Sequence, residues 1–246
     1  MPRYQLLIEY VGTNFRGWQI QKKGLTIQGL IQDKLKKLLK EKIILNGSGR
    51  TDTGVHAIEQ SAHFDCKNKI IDTIKFLNSI NHFLNNKGIS ITKIKKRSDK
   101  FHSRFSAKQR IYKYVIFNQI SPPIIEKKRG WHVRKPLDVE IIKKGAKKLL
   151  GTNDYSTFRS SSCHAKSPIK TIRSIKIKSK KNKIEIEFKS QSFLQQQVRS
   201  MVGCLKYLGE KRWDLKNFEK VFKSKKRILC APPAPPEGLF LFKVIY

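Results

Sequence analysis

Arg3-Tyr4-Gln5-Leu6-Leu7-Ile8-Glu9-Tyr10-Val11, closed by Gly12-Thr13-Asn14, is the stretch on which the fold turns. Its alternation predicts a strand, and the glycine and asparagine behind it predict a turn. Ile27 to Lys40 follows with Ile27, Leu30, Ile31, Leu35, Leu38 and Leu39 on one face and lysines opposite, the pattern of an amphipathic helix. A short strand is expected at Ile43-Ile44-Leu45 and a longer one from Val55 to Cys66. Asp72 to Leu84 is expected to be helical with Asp72 as N-cap, and Ile89 to Arg97 extended.

The order recurs downstream. Ile111 to Asn118 predicts a strand, and Val139 to Leu150 a helix stopped by Gly151. Thr171 to Ser179 and Lys183 to Ser190 predict a hairpin about Lys180-Lys181-Asn182. Helices over Phe193 to Leu208 and Leu215 to Phe222 and a last strand from Leu239 to Ile245 complete the chain. Both parts fit a mixed α+β class: two lobes, each a mainly antiparallel sheet with helices on one face in a split βαβ arrangement. The boundary is expected near Ser98 to Lys108, giving lobes of residues 1–105 and 106–246. The halves share no sequence identity, so any repeat is architectural.

A hydrophobic content of 39% with 10% aromatics fits a folded chain and excludes a disordered one. Residues 1–10 enter the strand pattern without the apolar core and cleavage site of a signal peptide. No apolar run reaches bilayer length, so a cytoplasmic, non-membrane protein is expected. Fifty-three Lys plus Arg stand against 18 Asp plus Glu, a net charge of +35. A field of that size favours a polyanionic partner, nucleic acid foremost. The bland alternative is A/T-rich coding that fills solvated surface with lysine. Cys66, Cys163, Cys204 and Cys230 are scattered without a C-x-x-C pair, as expected of reduced thiols. Cys163-His164 with His63 and Cys66 lacks zinc-ligand spacing, so no metal is expected.

Asn46 to Ala57 carries the most chemistry: Asn-Gly-Ser-Gly-Arg-Thr-Asp-Thr-Gly-Val-His-Ala. Gly47, Gly49 and Gly54 permit positive φ and close approach. The Gly-Lys-Ser/Thr ending of a triphosphate-binding loop is missing and a strand follows, which excludes that function. Asp52 is a carboxylate in a chain dominated by cations, able to attack an electrophilic carbon. Its ordinary role in a Gly-rich loop would be to cap a turn. Phe101 to Tyr114 interleaves aromatic and basic residues, which suits stacking on splayed bases and equally suits a plain strand with Tyr112 and Tyr114 inward. In Gln195 to Gly203, Val198, Met201 and Val202 mark a buried helical face beside Arg199, a position from which arginine usually snorkels to water. Glu185 and Glu187 alternate on the wet face of the hairpin and make a poor acid/base pair.

Taken together these segments resemble the TruA family of tRNA pseudouridine synthases. Gly49 to Ala57 carries the family's Gly-Arg-Thr-Asp-x-Gly-Val-His-Ala signature, and Tyr10 to Gln19 resembles its opening strand and turn, where Asp is commoner than Val11. Phe101 to Tyr114 resembles the Phe-His-Ala-Arg-Phe-Ser-Ala…Arg-x-Tyr-x-Tyr segment, with Ser103 in place of Ala. Phe193 to Gly203 and Pro236 to Leu241 complete the order, so the resemblance spans nearly the whole chain.

The resemblance implies that Asp52 is the catalytic carboxylate and that Arg50 holds the flipped nucleotide or the space it leaves. It further implies that Tyr112 lies against the base as a candidate for removing the C5 proton, that Arg199 pairs with Asp52, and that Leu239 packs beneath the base. Also implied are a catalytic cleft between two lobes, a homodimer, and tRNA as substrate at uridines 38, 39 and 40 of the anticodon arm. No cofactor is expected: the N1–C1′ bond breaks, the base turns and C5 bonds to C1′ without redox change or phosphate donor. The carboxylate can attack C1′, add to C6 or act as a base at C2′. Two rival functions are a non-catalytic RNA-binding module, which needs no carboxylate at the RNA, and a nucleic-acid glycosylase, which would release free base.

Overall fold

The computed structural model describes all residues from Met1 to Tyr246. They form two compact units, one of Met1–Lys108 with Phe240–Tyr246 and the other of Gln109–Leu239. Ten strands and five α-helices make the fold mixed α/β with mostly antiparallel pairing, as the sequence predicts.

In the first unit β1 (Arg3–Tyr10) buries Tyr4, Leu6, Ile8 and Tyr10 and leaves Glu9 in water, the alternation of a half-buried strand. Burial of each large side chain contributes about 1.5–3 kcal/mol. β3 (His56–Asp65) and β4 (Ile89–Arg97) both pair antiparallel to β1. They are therefore parallel to each other with β1 between them, a split βαβ whose crossover is α2 (Thr73–Leu84). The Asp72 carboxylate caps α2, accepting the Lys75 N–H at 2.9 Å. α1 (Ile27–Leu39), capped by Thr26, buries Ile27, Ile31 and Leu35 one turn apart and packs on α2.

The strand expected at Ile43–Leu45 is displaced. Two glutamines of α1 take the Leu45 backbone, Gln32 Oε1 accepting its N–H and Gln28 Nε2 donating to its carbonyl. Ladder pairing begins one residue later, at β2 (Asn46–Gly47), antiparallel to β3. β10 (Leu239–Ile245) brings Phe240 and Leu241 alongside His56 and Ala57 in parallel register with β3.

In the second unit the strand order is β5 (Gln109–Asn118), β9 (Lys183–Ser190), β8 (Ile169–Lys180) and β7 (Gly151–Asp154), each antiparallel to its neighbour. β6 (Trp131–Val133) adds a short parallel pairing to β5. β9 alternates as expected, with Ile184, Ile186 and Phe188 buried and Glu185 and Glu187 half-exposed, paired with Lys183 and Lys113. α3 (Val139–Lys148), α4 (Gln197–Gly209) and α5 (Leu215–Lys223) pack on one another. α3 closes at Leu149, and Gly151 opens β7 instead of capping the helix. α4 starts four residues later than predicted, because Gln196 is left-handed at φ 61° and Gln197 Oε1 accepts the Leu194 N–H. No helix is long and apolar enough to cross a membrane.

Candidate active site

Asp52 and Arg50 lie together on the loop between β2 and β3, Asp52 half-buried and Arg50 exposed. The loop is held on both flanks. On one, Ser48 N–H donates to the Ser61 carbonyl at 2.7 Å, and the Ser48 hydroxyl donates to Gln60 Oε1 at 2.7 Å. Gln60 Nε2 returns a bond to the Gly49 carbonyl at 2.8 Å. On the other, Trp18 N–H donates to the Thr51 carbonyl at 3.1 Å, and Tyr10 Oη shares a buried 2.8 Å bond with Thr51 Oγ1. The Asp52 carbonyl accepts the Val55 N–H at 3.1 Å, which closes the turn. Gly12 N–H donates to His56 Nδ1 at 3.0 Å, and the His56 ring stacks on Phe240 at 4.8 Å between centroids.

Glycines let the segment after β1 come this close. A Cβ on Gly12 would lie 1.9 Å from the Val55 carbonyl oxygen, and one on Gly17 would lie 2.5 Å from that of Thr51. The peptide carrying Asp52 is therefore clamped between the β1 turn and β3. Tyr10, Gly17, Trp18, Thr51 and Gln60, which single out no chemistry in the sequence, are the residues that hold it. The signal that could have found them is the Gly12…Gly17-Trp18 spacing in the opening segment.

Tyr112, Arg199 and Leu239 belong to the second unit. Tyr112, on β5, is buried with its ring edge-on to Phe193 at 5.2 Å. Arg199, on α4, is half-buried, and its Nε–H donates to the Ala234 carbonyl at 2.8 Å instead of pointing freely into water. The Ala234 N–H donates back to the Arg199 carbonyl at 2.9 Å. Residues 230–238 thus form a strap along α4, so near that a Cβ on Gly203 would lie 2.1 Å from the Pro232 carbonyl. Tyr114, two residues beyond Tyr112, is completely buried and donates its hydroxyl to the Pro235 carbonyl at 2.8 Å. Burial, with the Glu237 charge adding, pushes the Tyr114 phenol well above its ordinary range, so it stays a donor. The strap then ends at Leu239, also buried. Arg199, the strand of Tyr112 and Leu239 are in this way tied to one segment.

No group of three or more His, Cys, Asp or Glu side chains is gathered as a metal site. Cys66 donates to the Asn68 carbonyl, and His63 meets Ser103. Cys204 and Cys230, distant in sequence, bring their thiols to 3.4 Å.

A family model described as tRNA pseudouridine synthase matches residues 6–106 and 146–246. The tRNA pseudouridine synthase A of Pelagibacter ubique is 73% identical over 246 residues, covering 100% of both chains. That of Paramagnetospirillum magneticum is 41% identical over 247 residues, covering 100% of this chain and 96% of the relative. That of Parvibaculum lavamentivorans is 39% identical over 247 residues, covering 100% of both.

Proposed function

The chain belongs to the tRNA pseudouridine synthase family, an isomerase family, and from that premise we propose that it acts at uridines 38, 39 and 40 in the anticodon stem-loop of tRNA with Asp52 as catalytic carboxylate. The restraint on the Asp52 loop is what supports the catalytic role of its carboxylate. A carboxylate that merely capped a turn would need none of the bonds that Tyr10, Trp18 and Gln60 make around it. Fixing a reacting group in this way removes orientational entropy from the chemical step.

In the isomerisation the N1–C1′ bond breaks, the base turns, C5 bonds to C1′, the C5 proton leaves and N1 takes up a proton. Asp52 acts at C1′, C6 or C2′. The base must first be extruded from the arm, at roughly a few kcal/mol. Arg50 holds the flipped nucleotide or the space it vacates. Tyr112 lies against the base as the candidate for removing the C5 proton, Arg199 serves as counter-ion to Asp52, and Leu239 packs beneath the base. No redox change or phosphoryl transfer occurs, so none of these roles calls for a cofactor. The protein works in the cytoplasm as a homodimer, and full turnover by a monomer, judged by light scattering, would remove the dimer from this account.

The test compares wild type with Asp52→Asn on tRNA tritiated at uridine C5. Wild type is expected to release tritium and the variant to bind tRNA without releasing it. Normal turnover by the variant would sink the assignment.

A further inference from the structure

We propose that Phe105 is a base-stacking platform for an unpaired nucleotide of the tRNA other than the target uridine, an inference that rests on the function just proposed. Phe105 is 75% exposed, although it sits in a turn tied together by several internal hydrogen bonds. The His102 carbonyl accepts the Ser106 N–H at 2.9 Å, and Ser106 Oγ accepts the His102 N–H at 3.0 Å. His102 Nδ1 accepts the N–H groups of Arg104 and Phe105 at 3.1 and 3.4 Å, which needs the neutral imidazole. Burial, then the Arg3 and Arg104 charges, lowers the His102 pKa and keeps it in that form.

The turn is also bolted to the rest of its unit. Ser103 is buried and donates its hydroxyl to the Asn46 carbonyl at 2.5 Å, at the start of the segment that leads to Asp52. Its N–H donates to His63 Nδ1 at 3.2 Å, and its carbonyl accepts the Tyr246 hydroxyl at 2.8 Å. A single exposed apolar side chain on a loose loop would mean nothing. Here a hydrogen-bonded turn holds an aromatic ring largely in water.

The surroundings name the occupant. The Arg104 guanidinium lies 5.6 Å from the Phe105 ring centre and the His102 ring 4.4 Å away. Lys100, Arg104 and Lys108 are exposed around the turn, with Asp99 the acidic neighbour in sequence. An aromatic face flanked by cations fits a nucleobase and its phosphate, since every base has a π face and the cations take the backbone charge. His63, where the turn is anchored, and His56, where the Asp52 loop closes, are seven residues apart on β3, about 23 Å at ~3.3 Å per residue. The turn is thus anchored near the far end of β3 from His56, which fits a nucleotide other than the reacting base.

Phe105→Ala should raise the tRNA dissociation constant about 5- to 100-fold, the effect of losing one base stack, and raise KM more than it lowers kcat. Phe105→Trp should bind within about threefold of wild type, because its ring still stacks. In the wild-type protein, a stem-loop RNA carrying 4-thiouridine outside the target position should photo-crosslink to residues 102–105, a measurement that needs no variant to fold. Unchanged tRNA affinity in Phe105→Ala, or a crosslink that maps elsewhere, overturns the proposal. So does loss of the dimer in Phe105→Ala, since the ring would then face a second copy of the chain. If wild type itself neither binds tRNA nor releases tritium, the proposed function fails. If wild type does both and Phe105→Ala binds equally well, only the platform fails.

Discussion

Gly17→Ala tests whether the clamp on Asp52 matters without altering any group expected to touch substrate. Gly17 stands at φ +81°, where an alanine costs about 1–2 kcal/mol. The added Cβ would lie 2.5 Å from the Thr51 carbonyl oxygen, 3.1 Å from the Asp52 carbonyl carbon and 3.2 Å from the Thr53 nitrogen. All three are backbone atoms, so no rotamer relieves the clash. Reaching ordinary contact at 3.4 Å requires the peptide to retreat by about 0.9 Å, the difference between 3.4 and 2.5 Å. Strain and overpacking together should cost about 2–5 kcal/mol, or roughly 4–20 °C in melting midpoint. A shift near 1 Å at a reacting group costs up to about 100-fold in rate, so kcat in the tritium-release assay should fall about 10- to 100-fold. Gly88→Ala is the control: its φ is +74° but the nearest atom, Val11 Cβ, is 3.5 Å away. It should lose about 1–2 kcal/mol of stability with kcat untouched. If Gly17→Ala melts earlier yet keeps wild-type kcat, the loop is not poised by this contact and the reasoning fails.

Tyr114→Phe removes the donor to the buried Pro235 carbonyl and should destabilise the chain by about 1–3 kcal/mol. By slackening the strap it should also lower kcat, so full activity in a less stable variant would detach the strap from the chemistry. Burial, aided by the charges of His102 and Arg3, holds His63 down at about 4, against about 6.5 in the unfolded chain. Between those values the unfolded state carries more protons, so stability should fall as pH drops from about 6.5 to 4. Discounted for solvent screening, the loss is about 1–2 kcal/mol. Urea midpoints of wild type and His63→Gln should diverge in slope against pH, and identical slopes would remove His63 as the cause. With a net charge of +35, tRNA affinity should drop by roughly a thousandfold between about 50 and 200 mM salt, as six or more phosphate contacts dictate. A salt-insensitive constant would contradict an RNA-binding role for the charge.

Local chemistry made much of the fold legible. Tyr4, Leu6, Ile8 and Tyr10 alternate because one face of β1 is buried, and Asp72 caps α2 because its carboxylate reaches the Lys75 N–H. The failures are places where a side chain takes backbone groups that local pattern assigns to a ladder or helix. Gln28 and Gln32 do this to Leu45, and Gln197 does it to Leu194. β7 was hidden in a four-residue run without apolar alternation. For the candidate site, the residue types of the Asp52 loop suggested chemistry, but its clamp depends on contacts between residues some 30 to 40 apart, such as Tyr10 with Thr51. Likewise the meeting of Arg199 with Ala234, and of Tyr114 with Pro235, follows from packing that no local spacing encodes.

The parallel pairing of Phe240 and Leu241 with His56 and Ala57 sets a timetable for the chain's birth. On the ribosome the first 108 residues emerge long before residues 240–246, yet those seven belong to the same compact unit. During that interval the part of β3 nearest the Asp52 loop lacks β10, and His56 lacks the ring of Phe240. An uncovered strand edge is an invitation to wrong partners. The second unit must therefore be made before the first can be finished, and a nascent chain stalled before Phe240 would hold the Asp52 carboxylate on a half-built support.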